Sequence, residues 1–209
     1  MRRERLGGSA MIAGAVMGLV TMAFHPTGGG HAALALAVHA LALFATPLAF
    51  YGGWVLTRRL SPGGALAELA LAFYGISAAA TLLATTASGF LASDLIAQAA
   101  ALQGEARAAA EAVMHYNYAL NQAFAKVLVA ASSVAIGLWS MEIVRTRLMR
   151  RASGVLGCVV AAVILLALFS GHLTLGVHGF GAVVLAQAAW LILVGAELRQ
   201  TPPEPTQPS

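Results

Sequence analysis

Charge is scarce in this sequence. Only 10% of its 209 residues are Asp, Glu, Lys or Arg, against about 25% in soluble domains. With 59% hydrophobic residues and a mean hydropathy of +0.81, a water-soluble globule is excluded and a polytopic membrane protein is indicated. Cysteine is nearly absent. Cys158 stands alone, so no internal disulfide can form, and within its apolar run it reads as a small hydrophobe. Aromatic residues make up 7% while Ala and Gly abound, a composition suited to helices packed closely through small residues. The net charge of +4 does not mark a nucleic-acid partner, because the basic residues sit where membrane topology needs them. No P-loop, G-x-S-x-G, H-E-x-x-H or haem-attaching C-x-x-C-H motif occurs, so no familiar catalytic signature is available.

What is present is a series of apolar runs, each near the roughly 20 residues needed to cross the hydrocarbon. They predict six transmembrane helices over residues 8–24, 31–56, 65–91, 115–142, 154–170 and 179–198. Arg2, Arg3 and Arg5 before the first run resemble the start of a secretory signal, but Phe24-His25-Pro26 is a poor cleavage site, so an uncleaved span is expected. Pro47 predicts a kink in the second span. Residues 93–112 are too polar for lipid and repeat Leu95, Ile96, Ala99 and Leu102 at helical spacing; they read as a surface helix or an extension of the third span. The Pro-rich tail 201–209 is expected to be disordered.

Six crossings place Arg2 to Arg5, Arg58-Arg59, residues 145–151 and Arg199 on one side. The positive-inside rule makes that side the cytoplasm, with both termini there. The expectation is an all-α bundle in a bacterial inner (cytoplasmic) membrane, its partners being the lipid bilayer, a small-molecule ligand and, if it transports, a second copy of the chain.

The fourth span carries a polar row: His115, Gln122, Lys126, Ser133 and Ser140 fall near one line at 100° per residue, with Tyr118 to one side. Counted from Tyr116, Lys126 lies near the middle of the bilayer, where an ammonium costs about 2.5 kcal/mol or more. No carboxylate occupies that level, since Glu68, Glu142 and Glu197 lie near the cytoplasmic ends. Lys126 is therefore expected to be neutral, to face a wet cavity, to meet an anionic ligand, or to snorkel. Tyr74, Ser77, Thr81, Thr85 and Ser88 line one face of the third span and are expected to look toward this row. Lys126, Gln122, Asn121, Tyr118, Thr81, Thr85 and Gln187 form the candidate ligand-binding set; hydroxyls and amides that merely join helices are the plainer alternative.

Histidine supplies a second candidate. The outer loops beginning at His25 and His172 both read H-x-T-x-G-x-H, ending at His31 and His178, which suggests a parallel repeat of hairpins 1–2 and 5–6. If His25, His31, His172 and His178 converge with His115 and His39, imidazoles on the periplasmic face would hold a transition metal or haem. The functional readings are thus a binding or redox protein with that histidine site, a transporter or receptor built on the Lys126 cavity, an intramembrane enzyme, and a structural membrane protein without a ligand.

Overall fold

The computed structural model describes residues 2–26 and 32–200. Among these the chain is all-helical: α1 (Arg2–Ala23), α2 (Ala32–Leu60), a 3₁₀ turn (Ser61–Gly63), α3 (Leu66–Thr85), a π turn (Thr86–Leu91), α4 (Ala92–Ala99), α5 (Gly104–Thr146), α6 (Arg151–Phe169) and α7 (Val177–Gln200). Six helices are long and apolar enough to cross a membrane, with α3, the π turn and α4 forming one of them. The tail 201–209 and His31 lie outside the described residues.

Residues with special backbone geometry stop the helices. Arg147 adopts a left-handed φ of 56° and gives its N–H to Ile143 O, ending α5. Gly171, at φ 78°, follows the end of α6, and such conformations satisfy carbonyls that a helix end leaves orphaned. Glu197 of α7 accepts the Arg150 N–H and the Ser153 hydroxyl, capping the start of α6 from a neighbouring helix. Segment 93–112 does not form a separate surface helix. Its first part continues α3 through the π turn, and its second part, from Gly104, belongs to α5, which runs for 43 residues. Helix α2 continues through Pro47, where the Thr46 hydroxyl bonds to Ala42 O.

The spans form a ring in the order α1, α2, α3, α5, α6, α7, with α7 returning to α1. Small residues allow the close approaches. A Cβ at Gly14 would lie 2.7 Å from Ala49 N, and one at Gly52 would lie 2.5 Å from Met11 Cβ, so side chains there would force α1 and α2 apart. By contrast α6 and α7 touch little. The two hairpins that share the loop pattern therefore pack differently.

The basic segments do meet at one end of the bundle, as Arg59 pairs with Glu4, Arg3 covers the Trp54 ring and Arg145 lies against Gly64. This is called the basic end below. Its half of the interior is filled by Met11, Leu56, Leu60, Trp139, Ile143, Trp190, Val194 and Leu198. Trp139 donates to Thr57 Oγ1 and Trp190 to Ser153 O, so both indoles are satisfied while fully buried. Buried aromatic N–H groups ordinarily require such partners.

Candidate functional site

The other half of the ring encloses a cavity of about 580 Å³, within the range of small-molecule sites. It draws walls from α1, α2, α3, α4, α5, α7 and the loop before α7; α6 stands outside. Its closed floor is made by Tyr74, Ile136, Ala188 and Leu191. Beneath it Trp139 meets Tyr74 edge-on at 5.1 Å and stacks on Trp190 at 6.4 Å. The mouth lies at the opposite end, where the cavity-lining Ile96 and Tyr118 are 58% and 63% exposed. At about 1.5 Å per residue, Tyr118 is roughly 42 Å from the basic end of α5, whereas Tyr74 is only roughly 12 Å from the basic end of α3.

Six of the seven sequence-derived ligand candidates line this space: Gln122, Asn121, Tyr118, Thr81, Thr85 and Gln187. Lys126 does not. It is exposed on the outside of the bundle, for two reasons. Each four-residue step along a helix advances about 40°, which carries Lys126 beyond Gln122 and out of the cavity-facing stripe of Asn121, Gln122, Ala125, Leu128 and Ser132. Its position along the helix is the second, about 20 residues, or about 30 Å, from the basic end of α5. Gly137 of α5 faces Ala161 of α6, and Ser140 faces Gly157. That antiparallel register brings Lys126 level with Gly171 and His172, at the finish of α6. The ammonium thus sits on the outer surface of the bundle, and among the described residues the cavity is lined by no Asp, Glu, Lys or Arg side chain.

The histidines separate. His172 and His178 are exposed, with His172 bonded to its neighbour Ser170, and His115 is exposed on α5. Among the described residues only His25 and His39 meet, their rings 5.2 Å apart and edge-on. His39 Nδ1 donates to Ala35 O at 2.6 Å, and Nε2 pairs with Ser88 Oγ at 2.8 Å. Both nitrogens that a metal or haem iron would need are therefore engaged. Among the described residues no group of three or more His, Cys, Asp and Glu side chains is arranged to hold a metal ion.

The π turn shapes this region. Single π turns inside α-helices recur at functional sites because they redirect side chains. Here Ala92 N–H reaches back to Ala87 O, and Asn117 Nδ2 donates to the same carbonyl at 2.9 Å. Ser88 is turned toward His39, and Gly89 lies so close that any Cβ there would collide with the His39 side chain. Deeper, Gln187 on α7 is held by Ser132 and Ser133 of α5 at 2.9 to 3.1 Å, a buried amide satisfied across two helices.

The sequence pattern puts Ser77 and Ser88 on the polar face of the third span without making them ligand candidates, and Asn117 joins them only in the structure. The pattern misses Tyr74 as part of the floor and the π turn altogether; Gly89 beside Ser88 within an apolar run was the one available signal. No protein-family model, curated protein or solved structure matches this chain.

Proposed function

We propose that this is a membrane-embedded binding protein for a small uncharged molecule of mostly apolar character. The observation that supports it is the cavity of about 580 Å³, whose walls are free of Asp, Glu, Lys and Arg among the described residues and which is closed at the basic end and open at the other. Sites for small molecules are typically concave, largely apolar and furnished with a few polar groups. Lys126, placed outside, gives no reason to expect an anion.

Under the positive-inside rule the basic end is cytoplasmic, the mouth faces the periplasm, and both termini lie in the cytoplasm of a bacterial cell. The aromatic floor favours a receptor or carrier of ligand over an open channel. Binding is favoured over covalent catalysis because, among the described residues, no carboxylate, ammonium or thiol lines the cavity. Ser88, which pairs with His39, also lies 2.7 Å from Ala84 O of its own helix.

Gly18 offers the direct test. It lines the cavity, and a Cβ there would meet no atom within 4 Å, so Gly18→Phe fills the space without a clash at its base. Native mass spectrometry of protein taken gently from its own membrane should show a bound small molecule on the wild type and none on Gly18→Phe. Only the bare polypeptide mass for both proteins, or equal occupancy in both, would refute the reading.

A further inference from the structure

The cavity's polar groups divide into those already bonded to protein and those left for a ligand, and the second set lies on one wall, that of α3 and α5, although Thr81, Ser88, Asn117 and Ser132 on the same wall are themselves bonded. On α1 and α2 the Thr21 hydroxyl donates to Val38 O, the Thr46 hydroxyl donates to Ala42 O, and both His39 nitrogens are engaged. On α7 the Gln187 amide is held by Ser132 and Ser133. The remaining surface of these three helices is chiefly Gly, Ala, Val, Leu, Met and Phe. On α3 and α5 the hydroxyls of Tyr74, Ser77 and Thr85 and the side-chain amides of Asn121 and Gln122 line the cavity without a side-chain hydrogen bond to protein, and Asn117 Oδ1 beside them is buried with no partner. Tyr74, Ser77 and Thr85 are nevertheless at least nine-tenths buried from bulk solvent. These groups face the cavity rather than protein, so an occupant that bonds to them would replace water there.

Resting on the binding reading above, we infer that the ligand is an uncharged facial amphiphile: a long molecule with hydroxyl or carbonyl groups along one edge and hydrocarbon along the other. Tyr74, Ser77 and Thr85 share one face of α3 and span about 16 Å along it. The ligand's polar edge lies against α3 and α5, and its hydrocarbon edge lies against the Ala- and Gly-rich wall of α1, α2 and α7. A molecule with a polar group at one end only would leave most of this row unpaired.

Two neutral steroids test this. The alcohol obtained by reducing cholic acid projects its ring hydroxyls from one face, whereas cholestanol carries a hydroxyl at one end. Affinities are read from the shift of the thermal unfolding midpoint of full-length protein in detergent across a ligand titration. The facial alcohol should bind about tenfold more tightly than cholestanol, as one or two extra hydrogen bonds would give. The double variant Ser77→Ala, Thr85→Val should erase that preference without weakening cholestanol. Tyr74→Phe, which keeps the ring against Trp139, should weaken the facial alcohol alone. Equal binding of both steroids by the wild type, or a preference that survives the double variant, overturns the facial inference; if Gly18→Phe still abolishes both, the cavity reading stands. Failure of both steroids to bind the wild type overturns the inference as well, and the native-mass result then decides the cavity reading separately.

Discussion

Replacing Lys126 with leucine separates two accounts of the bundle by their energies. An ammonium at the bilayer midplane costs about 2.5 to 3.5 kcal/mol on insertion scales, so its removal from that depth would stabilise the fold by a comparable amount. Lys126 instead stands about 30 Å from the basic end of α5, exposed on the outer surface and level with the end of α6. From the outer surface a lysine stem can snorkel toward an interface, where the cost of such a charge falls to about 0 to 1 kcal/mol. Lys126→Leu should therefore change stability by less than about 1 kcal/mol and leave ligand binding untouched. Unfolding by sodium dodecyl sulfate in mixed micelles measures this, with Trp139 and Trp190, fully buried and stacked at 6.4 Å, reporting the loss of packing. Stabilisation above about 2 kcal/mol would put the ammonium in hydrocarbon. Loss of ligand binding would put it in the site. Either result refutes the placement.

Other substitutions probe the packing that shapes the cavity. Gly89→Ala drives a methyl into His39 and should cost about 1 to 3 kcal/mol, as overpacking does, with His39 losing its Ser88 partner in imidazole NMR spectra. Gly52→Ala presses on the fully buried Met11 and should destabilise the α1–α2 pair by a similar about 1 to 3 kcal/mol in the same unfolding assay. The double change His172→Ala, His178→Ala removes two exposed side chains; it should shift stability by no more than about 0.5 kcal/mol and leave the bound small molecule in native mass spectra. Trp139→Phe forfeits the bond to Thr57 and should cost about 1 kcal/mol without changing which ligand is bound.

Much of the architecture was legible because hydropathy and charge placement act along the chain. Six apolar runs gave six helices, and the basic loops came together at one end, as Arg59 with Glu4 and Arg145 beside Gly64 attest. The polar face of α3 was legible as well, since a period of 3.6 residues sorts Tyr74, Ser77, Thr81 and Thr85 onto one side. What failed was azimuth. Helix α5 begins at Gly104 rather than near His115. A row of polar residues within 20° of a line also says nothing about which side the neighbouring helices take, and α3 and α6 clasp α5 so that Gln122 faces in and Lys126 faces out. The histidines illustrate a different limit. Loop spacing cannot tell which loops of a ring are neighbours; His172, His178 and His115 are exposed, and among the described residues no three histidines gather as a metal site would need.

The central claim, an accessible polar-walled cavity inside the ring, is most directly tested at Thr85, which is 5% exposed yet lines the cavity. In a Cys158→Ala background, Thr85→Cys should be alkylated by iodoacetamide in the folded protein, because the thiolate faces a space the reagent can enter, and adding Gly18→Phe should slow the reaction severalfold. A thiol that resists the reagent, or one whose rate ignores the phenylalanine, would mean that the interior is closed and dry, contrary to this account.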